Sequence, residues 1–341
     1  MSPPPPPPDL MDDLIEEVLL RLPPDDPACL VRASAVCKPW RRILAAPRFR
    51  RRYREFHGTP PVLGLFHKDG RFVPTSSFPH AQPDRPHWRS LDCRHGRALC
   101  VTFTGYPEGE SLPPFYFAVM DPLTGQQRSV PSPYVGELSF RAAATTAAKK
   151  GISSWPSVLV GDALYFNVDG GIIMCQLGTL GLSVFEKPMD GNNGALMKTE
   201  DGGLGFAALL DVTNLAMWSR ETGPEGSVGW TKLRVIDLTK LLPSRPRMVG
   251  LHSLLWWISR GKSMGAYLSG FAEGTQVIFV STYAGFYMID LKSGRATKLS
   301  CDSHVKTCFP YMNFYIPAME AGLRARGNGL VFDVFGKLKL L

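Results

Sequence analysis

The sequence predicts a mainly β protein, with a small N-terminal module of three helices and a large body of about five or six four-stranded units. Three observations predict it. Between residues 9 and 56 apolar residues recur at helical spacing, punctuated by capping residues and prolines. From about residue 60 that spacing gives way to short runs rich in Val, Phe, Tyr, Ile and Leu, separated by Gly and Pro. Within the body, a strand, tight turn and strand pattern recurs.

In the module, Asp9 is placed to cap a first helix whose opening turn holds Asp12 and Asp13 and whose last turn holds Arg21, matching the helix dipole at both ends. Leu10, Leu14, Val18 and Leu22, flanked by Ile15 and Leu19, form a stripe wider than one small neighbour can cover, and Pro23 and Pro24 end the helix. Asp26 followed by Pro27 starts a second helix offering Leu30, Ala33 and Cys37. Pro39 opens a third with Trp40, Ile43 and Leu44, and Pro47 closes it, after which Phe49, Tyr53 and Phe56 continue the apolar pattern. So few residues bury too little surface to be comfortably stable alone, which calls for cover from a partner or from the body itself.

In the body, Phe117 to Val130 aligns with Phe286 to Leu299, each reading as a strand, a turn with Asp121 or Asp290 before Gly125 or Gly294, and a second strand. Weaker copies lie at residues 173–181 and 233–240. Taking Asp121, Leu177, Asp237 and Asp290 as equivalent gives a period close to the roughly 50 residues of a propeller blade. Further strand pairs, at residues 157–166 and 275–282, bring each unit to four strands. A shortened echo at Val331 to Gly336 and an opening strand at Val62 to Phe66 are the expected closure of a ring. A β-sandwich is the alternative, but its strands would not repeat at this period.

The run from Leu10 through Leu14, Ile15, Val18, Leu22 and Pro23, then Leu30, Val36, Cys37, Trp40, Leu44, Pro47 and Phe49, closely resembles the F-box, particularly as found in plants. Met11 stands where that family usually has proline. The body resembles the kelch-like domains that follow many plant F-boxes, though kelch double glycines are mostly missing. The resemblance implies docking on a Skp-type adaptor and so on a cullin ubiquitin ligase, through Leu10, Leu14, Ile15, Val18, Leu22, Pro23, Leu30, Val36, Cys37, Trp40 and Leu44. Some of these must instead form the module's own core, and the sequence does not divide the two sets.

The remaining features bound the function class. The net charge of +8 is local, with nine Lys or Arg and no acid from Arg32 to Arg54, leaving −1 for everything else. The Arg50-Arg51-Arg52 run offers a nucleic-acid or nuclear-address alternative, but no basic stripe interleaved with aromatics follows it. Seven cysteines at irregular spacing form neither a disulfide framework nor a zinc set. Pro3 to Pro8 read as an unstructured lead-in rather than a signal or transit peptide, and no apolar run is long enough to span a membrane. A reduced cytoplasmic or nuclear setting is expected.

Catalytic patterns fail on context. Gly261 to Gly265 has the letters of a nucleophile elbow without the helix that must follow, and Trp256 stands where a phosphate loop needs its first glycine. Asp92-Cys93-Arg94-His95-Gly96 reads as a turn before a strand at Arg97 to Phe103, and Trp88 and the Trp256-Trp257 pair as blade core. The expected architecture is a disordered tail (residues 1–8), an F-box (9–56) and a kelch-like propeller (57–341) that holds a target protein. No catalytic residue, metal or cofactor is expected. A propeller scaffold outside any ligase, a nucleic-acid-associated protein and, less favoured, a propeller enzyme are the alternatives.

Overall fold

The computed structural model describes residues 12–75, 88–103, 115–122, 126–130, 155–168, 170–179, 181–189, 194–211, 213–222, 227–242, 266–282, 284–300, 305, 307–316, 330–332 and 338–340. Four helices come first, not three: α1 (Asp12–Leu20), α2 (Pro27–Val36), α3 (Lys38–Ala45) and α4 (Pro47–His57). Pro47 ends one helix and begins the next. It breaks the α3 pattern yet sits where a missing N–H costs nothing, in the first turn of α4. The cap at Asp26 forms as its sequence suggests, its carboxylate accepting from the Ala28 N–H at 3.1 Å. The cap proposed at Asp9 and the lead-in of residues 1–8 lie outside the described residues, and Arg21 falls just beyond α1.

The helices pack around Leu19, Leu20, Leu30, Leu44, Phe49 and Tyr53, all nearly or fully inaccessible to solvent. Tyr53 and His57 reach from α4 to the end of α1. The Tyr53 hydroxyl donates to the Leu22 carbonyl at 2.8 Å, and His57 Nε2 lies 2.9 Å from the Leu20 carbonyl oxygen. Carbonyls that a helix C-terminus leaves without intrahelical partners are thereby satisfied.

The body is a five-bladed β-propeller. The first blade is β1 (Val62–His67) and β2 (Phe72–Pro74), with β19 (Cys308–Met312) on its inner side. Four blades of four antiparallel strands follow in chain order. The second is β3 (Trp88–Arg94), β4 (Arg97–Phe103), β5 (Phe115–Met120) and β6 (Gln127–Val130); the third is β7 (Val158–Val160), β8 (Ala163–Val168), β9 (Gly171–Gln176) and β10 (Leu182–Phe185). The fourth is β11 (Gly194–Lys198), β12 (Leu204–Leu209), β13 (Asn214–Thr222) and β14 (Val228–Asp237), and the fifth is β15 (Tyr267–Phe271), β16 (Val277–Thr282), β17 (Gly285–Asp290) and β18 (Arg295–Leu299). Innermost strands meet around the ring: β7 beside β11, β11 beside β15, β15 beside β19 and β19 beside β3.

Two sequence expectations are corrected here. The ring is closed by β19 pairing antiparallel with β1, from Val62 opposite Met312 to His67 opposite Cys308. The echo at Val331 to Gly336 does not close it: among the described residues β20 (Leu330–Phe332) pairs with β21 (Leu338–Leu340) in a separate two-stranded sheet. In addition, Asp237 is not equivalent to Asp121 and Asp290. Asp121 follows and Asp290 ends a third strand, whereas Asp237 ends β14, a fourth strand, and caps a short 3-10 helix through the Thr239 N–H. The fourth blade's third strand is β13, whose long hairpin with β14 displaces the pattern.

At Asp290 the expected turn is present. Its carboxylate accepts from the Lys292 and Ser293 N–H groups and the Ser293 hydroxyl, and Gly294 follows at φ 69°. Gly125 lies outside the described residues. A β-carbon at residue 294 meets only Leu241, at 3.6 Å, so the cost of substitution there is backbone strain rather than a clash. Gly294→Val is expected to destabilise the protein by about 1 to 3 kcal/mol, read as a lowered thermal midpoint, with β15 to β18 affected first.

Candidate docking surface and axial cavity

The helical module offers its apolar residues in two directions. In α1, Ile15, Leu19 and Leu20 point inward, while Leu14 and Val18 stand 55% and 53% exposed on the outer side, one helical turn apart. At the end of α2, Val36 is 63% exposed, and Phe56 on α4 is 54% exposed. Of the expected adaptor contacts, Ile15, Leu30 and Leu44 are buried in the module's own core. Leu22 and Trp40 are half-buried against it, Cys37 is half-buried, Pro23 is exposed, and Leu10 lies outside the described residues. Phe56 was legible as part of the apolar pattern but not as an outward residue, since helical spacing alone places it with Phe49 and Tyr53.

The basic stretch is distributed rather than free. Arg52 donates to Glu16 at 2.6 Å and to Glu17 at 2.7 Å, tying α4 to α1. Arg42 pairs with Asp12 at 3.3 Å, Arg32 with Asp26 at 3.4 Å and Arg51 with Glu55 at 3.8 Å. Between residues 12 and 57 there are ten Lys or Arg and seven Asp or Glu, so α1 and its neighbours offset most of the excess. Hydrogen bonds from Arg52 and Arg21 hold the Glu17 carboxyl below its usual range. Arg50, Arg51 and Arg52 are therefore not three equivalent exposed charges.

In the propeller, a cavity of about 200 Å³ lies on the ring axis, lined from the innermost strand of every blade. Trp155, Met197, Phe271 and Met312 give it apolar walls, while Asp92, Arg94, Ser157, Lys198 and Glu273 bring polar and charged groups. Four of the five junctions between blades are filled by apolar clusters among the described residues. Between the second and third blades a polar clasp stands instead. Arg94 pairs with Asp92 at 3.1 Å and donates to the Ser157 carbonyl and, at 2.9 Å, to its hydroxyl, which in turn donates to Asp92 at 2.7 Å.

The clasp grows from a local rule. His95 and Gly96 both have positive φ, 49° and 69°, forming the two-residue turn that joins β3 to β4 with Arg94 opposite Arg97. The expected turn before Arg97 to Phe103 is thus present, and Trp88 packs against the neighbouring core. What the sequence did not signal is that Asp92 and Arg94 reach across to Ser157, in the next blade. Cys93, between them, is half-buried, and desolvation raises its thiol pKa well above the usual value. The nucleophile-elbow letters and the Trp256-Trp257 pair lie outside the described residues. Among the described residues no group of three or more His, Cys, Asp or Glu is placed to hold a metal, and no helix is long and apolar enough to cross a membrane.

Residues 8–52 match the F-box domain family. No curated protein matches the chain. Among solved structures it is similar to the extracellular domain of a putative one-component system from B. thetaiotaomicron (11% identity, 72% of this chain and 28% of that one, TM-score 0.27). It is also similar to the Swd1 β-propeller domain of Myceliophteria thermophila (10%, 68% and 77%, TM-score 0.28) and to apo AztD from Citrobacter koseri (14%, 71% and 51%, TM-score 0.22). The chain thus spans little more than a quarter of the length of the first of these. A segment matching the F-box domain family, followed by a five-bladed propeller, is the class of protein these observations define.

The ion pairs yield a pH-dependent expectation. A carboxylate whose pKa is lowered on folding stabilises the fold above its unfolded value and loses that contribution as pH falls through its folded value. Arg52→Gln is therefore expected to lower the unfolding temperature at pH 7 more than Arg51→Gln does. The gap should shrink towards pH 3, as Glu17 takes up its proton in the parent protein too. Melts of both variants at the two pH values check this.

Proposed function

We propose that this chain is the substrate-recognition subunit of a Skp–cullin–F-box ubiquitin ligase, acting in the cytoplasm or nucleus. The helical module holds a Skp-type adaptor, the propeller holds a target protein, and the target's lysines are kept near the charged conjugating enzyme at raised effective concentration. The chain itself performs no chemistry in this scheme. The observation that carries the proposal is the outward pair Leu14 and Val18 in a segment that matches the F-box family. Exposed side chains of this size on a small folded module favour a surface that a partner covers.

Leu14, Val18 and Val36, with Pro23 and the half-buried Leu22, Cys37 and Trp40, are the proposed adaptor contacts, and Leu10 joins them on the resemblance alone. Ile15, Leu30 and Leu44 support the same surface from beneath. The plant origin and the kelch-like type of the propeller likewise rest on the sequence resemblance. On the propeller side, the axial cavity with its polar clasp is the proposed place of target contact, because convergent polar groups in an apolar hollow are what recognition of a specific ligand requires. The nucleic-acid alternative is weakened by the carboxylates that engage Arg32, Arg42, Arg51 and Arg52.

Leu14→Asp with Val18→Asp places two charges in the proposed interface while leaving the helical core untouched. Binding to a purified Skp-type adaptor should fall by about 2 kcal/mol or more, with far-UV circular dichroism and melting unchanged. Undiminished adaptor binding by this double variant would overturn the assignment.

A further inference from the structure

The core of the helical module is not made by the helices alone. Ile316, 9% exposed, belongs to the same buried cluster as Leu19, Leu20, Leu30, Leu44, Phe49 and Tyr53, and Phe314 packs against it. The Phe314 ring meets Tyr53 edge to face, with centroids 6.0 Å apart and planes at 85°. These two residues follow β19, at the far end of the described propeller from the helices in sequence. They reach the module because β19 pairs with β1, whose start is separated from the end of α4 by four residues. The Asn313 N–H continues that pairing by donating to the Pro61 carbonyl at 3.3 Å.

We infer that ring closure and docking competence are one event: the segment of residues 313–316, delivered by the closing strand, completes the helical core, so the module presents a rigid docking surface only on a closed propeller. Three facts on the module side support this. It has fewer than fifty residues, a size at which the loss of even two core side chains is felt. Tyr53 cannot turn to fill the space left by Phe314, because its hydroxyl is held by the Leu22 carbonyl. Finally, α1 relies on α4 for its end carbonyls and for the partner of Glu16 and Glu17, so loosening α4 loosens the helix that carries Leu14 and Val18.

The consequence is a check on assembly. The helices are synthesised before the propeller and Phe314 and Ile316 after its fifth blade, so a chain with an unfinished or opened propeller carries an incompletely formed module. A ligase would then load finished receptors in preference to broken ones. That last step rests on the adaptor assignment made above; the coupling itself does not.

The test uses the full-length chain and hydrogen–deuterium exchange read by mass spectrometry, with capture of a purified Skp-type adaptor alongside. Phe309→Asp strikes β19 in a cluster shared by the first and second blades and touches no helix. Phe314→Ala with Ile316→Ala removes the staple and spares the pairing. In both variants, amides of residues 43–53 are expected to exchange at least tenfold faster than in the parent, with adaptor capture falling in step. In the second variant, residues 267–299 should keep the parent's protection. Parent-like protection of residues 43–53 in the staple variant would overturn the inference, whether or not Phe309→Asp yields folded protein. Leu14→Asp separates the two proposals, since it should abolish capture without changing exchange. If the parent captures no adaptor while the coupling in exchange is seen, the adaptor assignment fails and the closure inference stands.

Discussion

Antiparallel pairing between Val62–His67 and Cys308–Met312 joins the two ends of the β-rich body, and every larger feature of the molecule leans on it. A propeller without closure has a free inner edge on one blade and an uncovered face on the next, which natural sheets avoid. Here the closing strand also fills apolar space on both sides. Phe309 and Tyr311 enter the core shared with the second blade, and Cys308 the core shared with the fifth. Tyr311 carries its hydroxyl into the second blade as well, donating to Asp121 at 3.0 Å, and desolvation is the main cause of its raised pKa. One short strand thus serves two junctions and leads directly into the residues that complete the helical core.

The charge distribution shows why a local count misleads. From Arg32 to Arg54 the sequence is basic without a single acid, which invites a nucleic-acid reading. The compensating carboxylates lie thirty or more residues upstream, in α1, and are brought alongside by the packing of α1 against α3 and α4: Glu16 and Glu17 meet Arg52, and Asp12 meets Arg42. The Glu16 side chain is only 11% exposed in its pair with Arg52, where loss of the partner would leave a poorly hydrated charge. The outer pairs are exposed and individually weak. Part of the basic run therefore positions helices, and its remainder is the ordinary solvated face of a small bundle.

What was legible in the sequence was whatever depends on neighbours in the chain. Asp26 before Pro27, Pro39 at a helix start, the Asp290 to Gly294 turn and the strand after His95 and Gly96 all follow from rules spanning two to five residues. The helix count failed at residue 47 because a proline that stops one helix can start another, and aromatic spacing beyond it already hinted at α4. The fourth blade was misaligned because a strand ending in Ile236 and Asp237 looks alike whether it is third or fourth in its sheet. Closure by β19 and the clasp from Asp92 and Arg94 to Ser157 were invisible, since both join residues far apart in sequence. The division of α1 was half visible: its spacing gives the stripe of Leu14 and Val18 beside that of Ile15 and Leu19. Which side turns inward depends on where α3 and α4 pack.

The two attachments of the module to the propeller have different physical characters, and together they restrict its freedom. Residues 58–61 form a covalent link of four residues, beginning at Gly58 with φ 68°, and such a link alone would leave the helices free to swing. The second attachment is the insertion of Phe314 and Ile316 into the helical core, anchored by Asn313, whose side chain donates to the Tyr311 hydroxyl. A body held at two points that are themselves hydrogen-bonded to each other, through Asn313 and Pro61, has lost its main hinge. The distance from the outward residues of α1 to the axial cavity is then set by packed structure rather than by linker statistics. Where function depends on proximity, that matters more than any single contact, because effective concentration at a fixed site is highest when the span is fixed to match it.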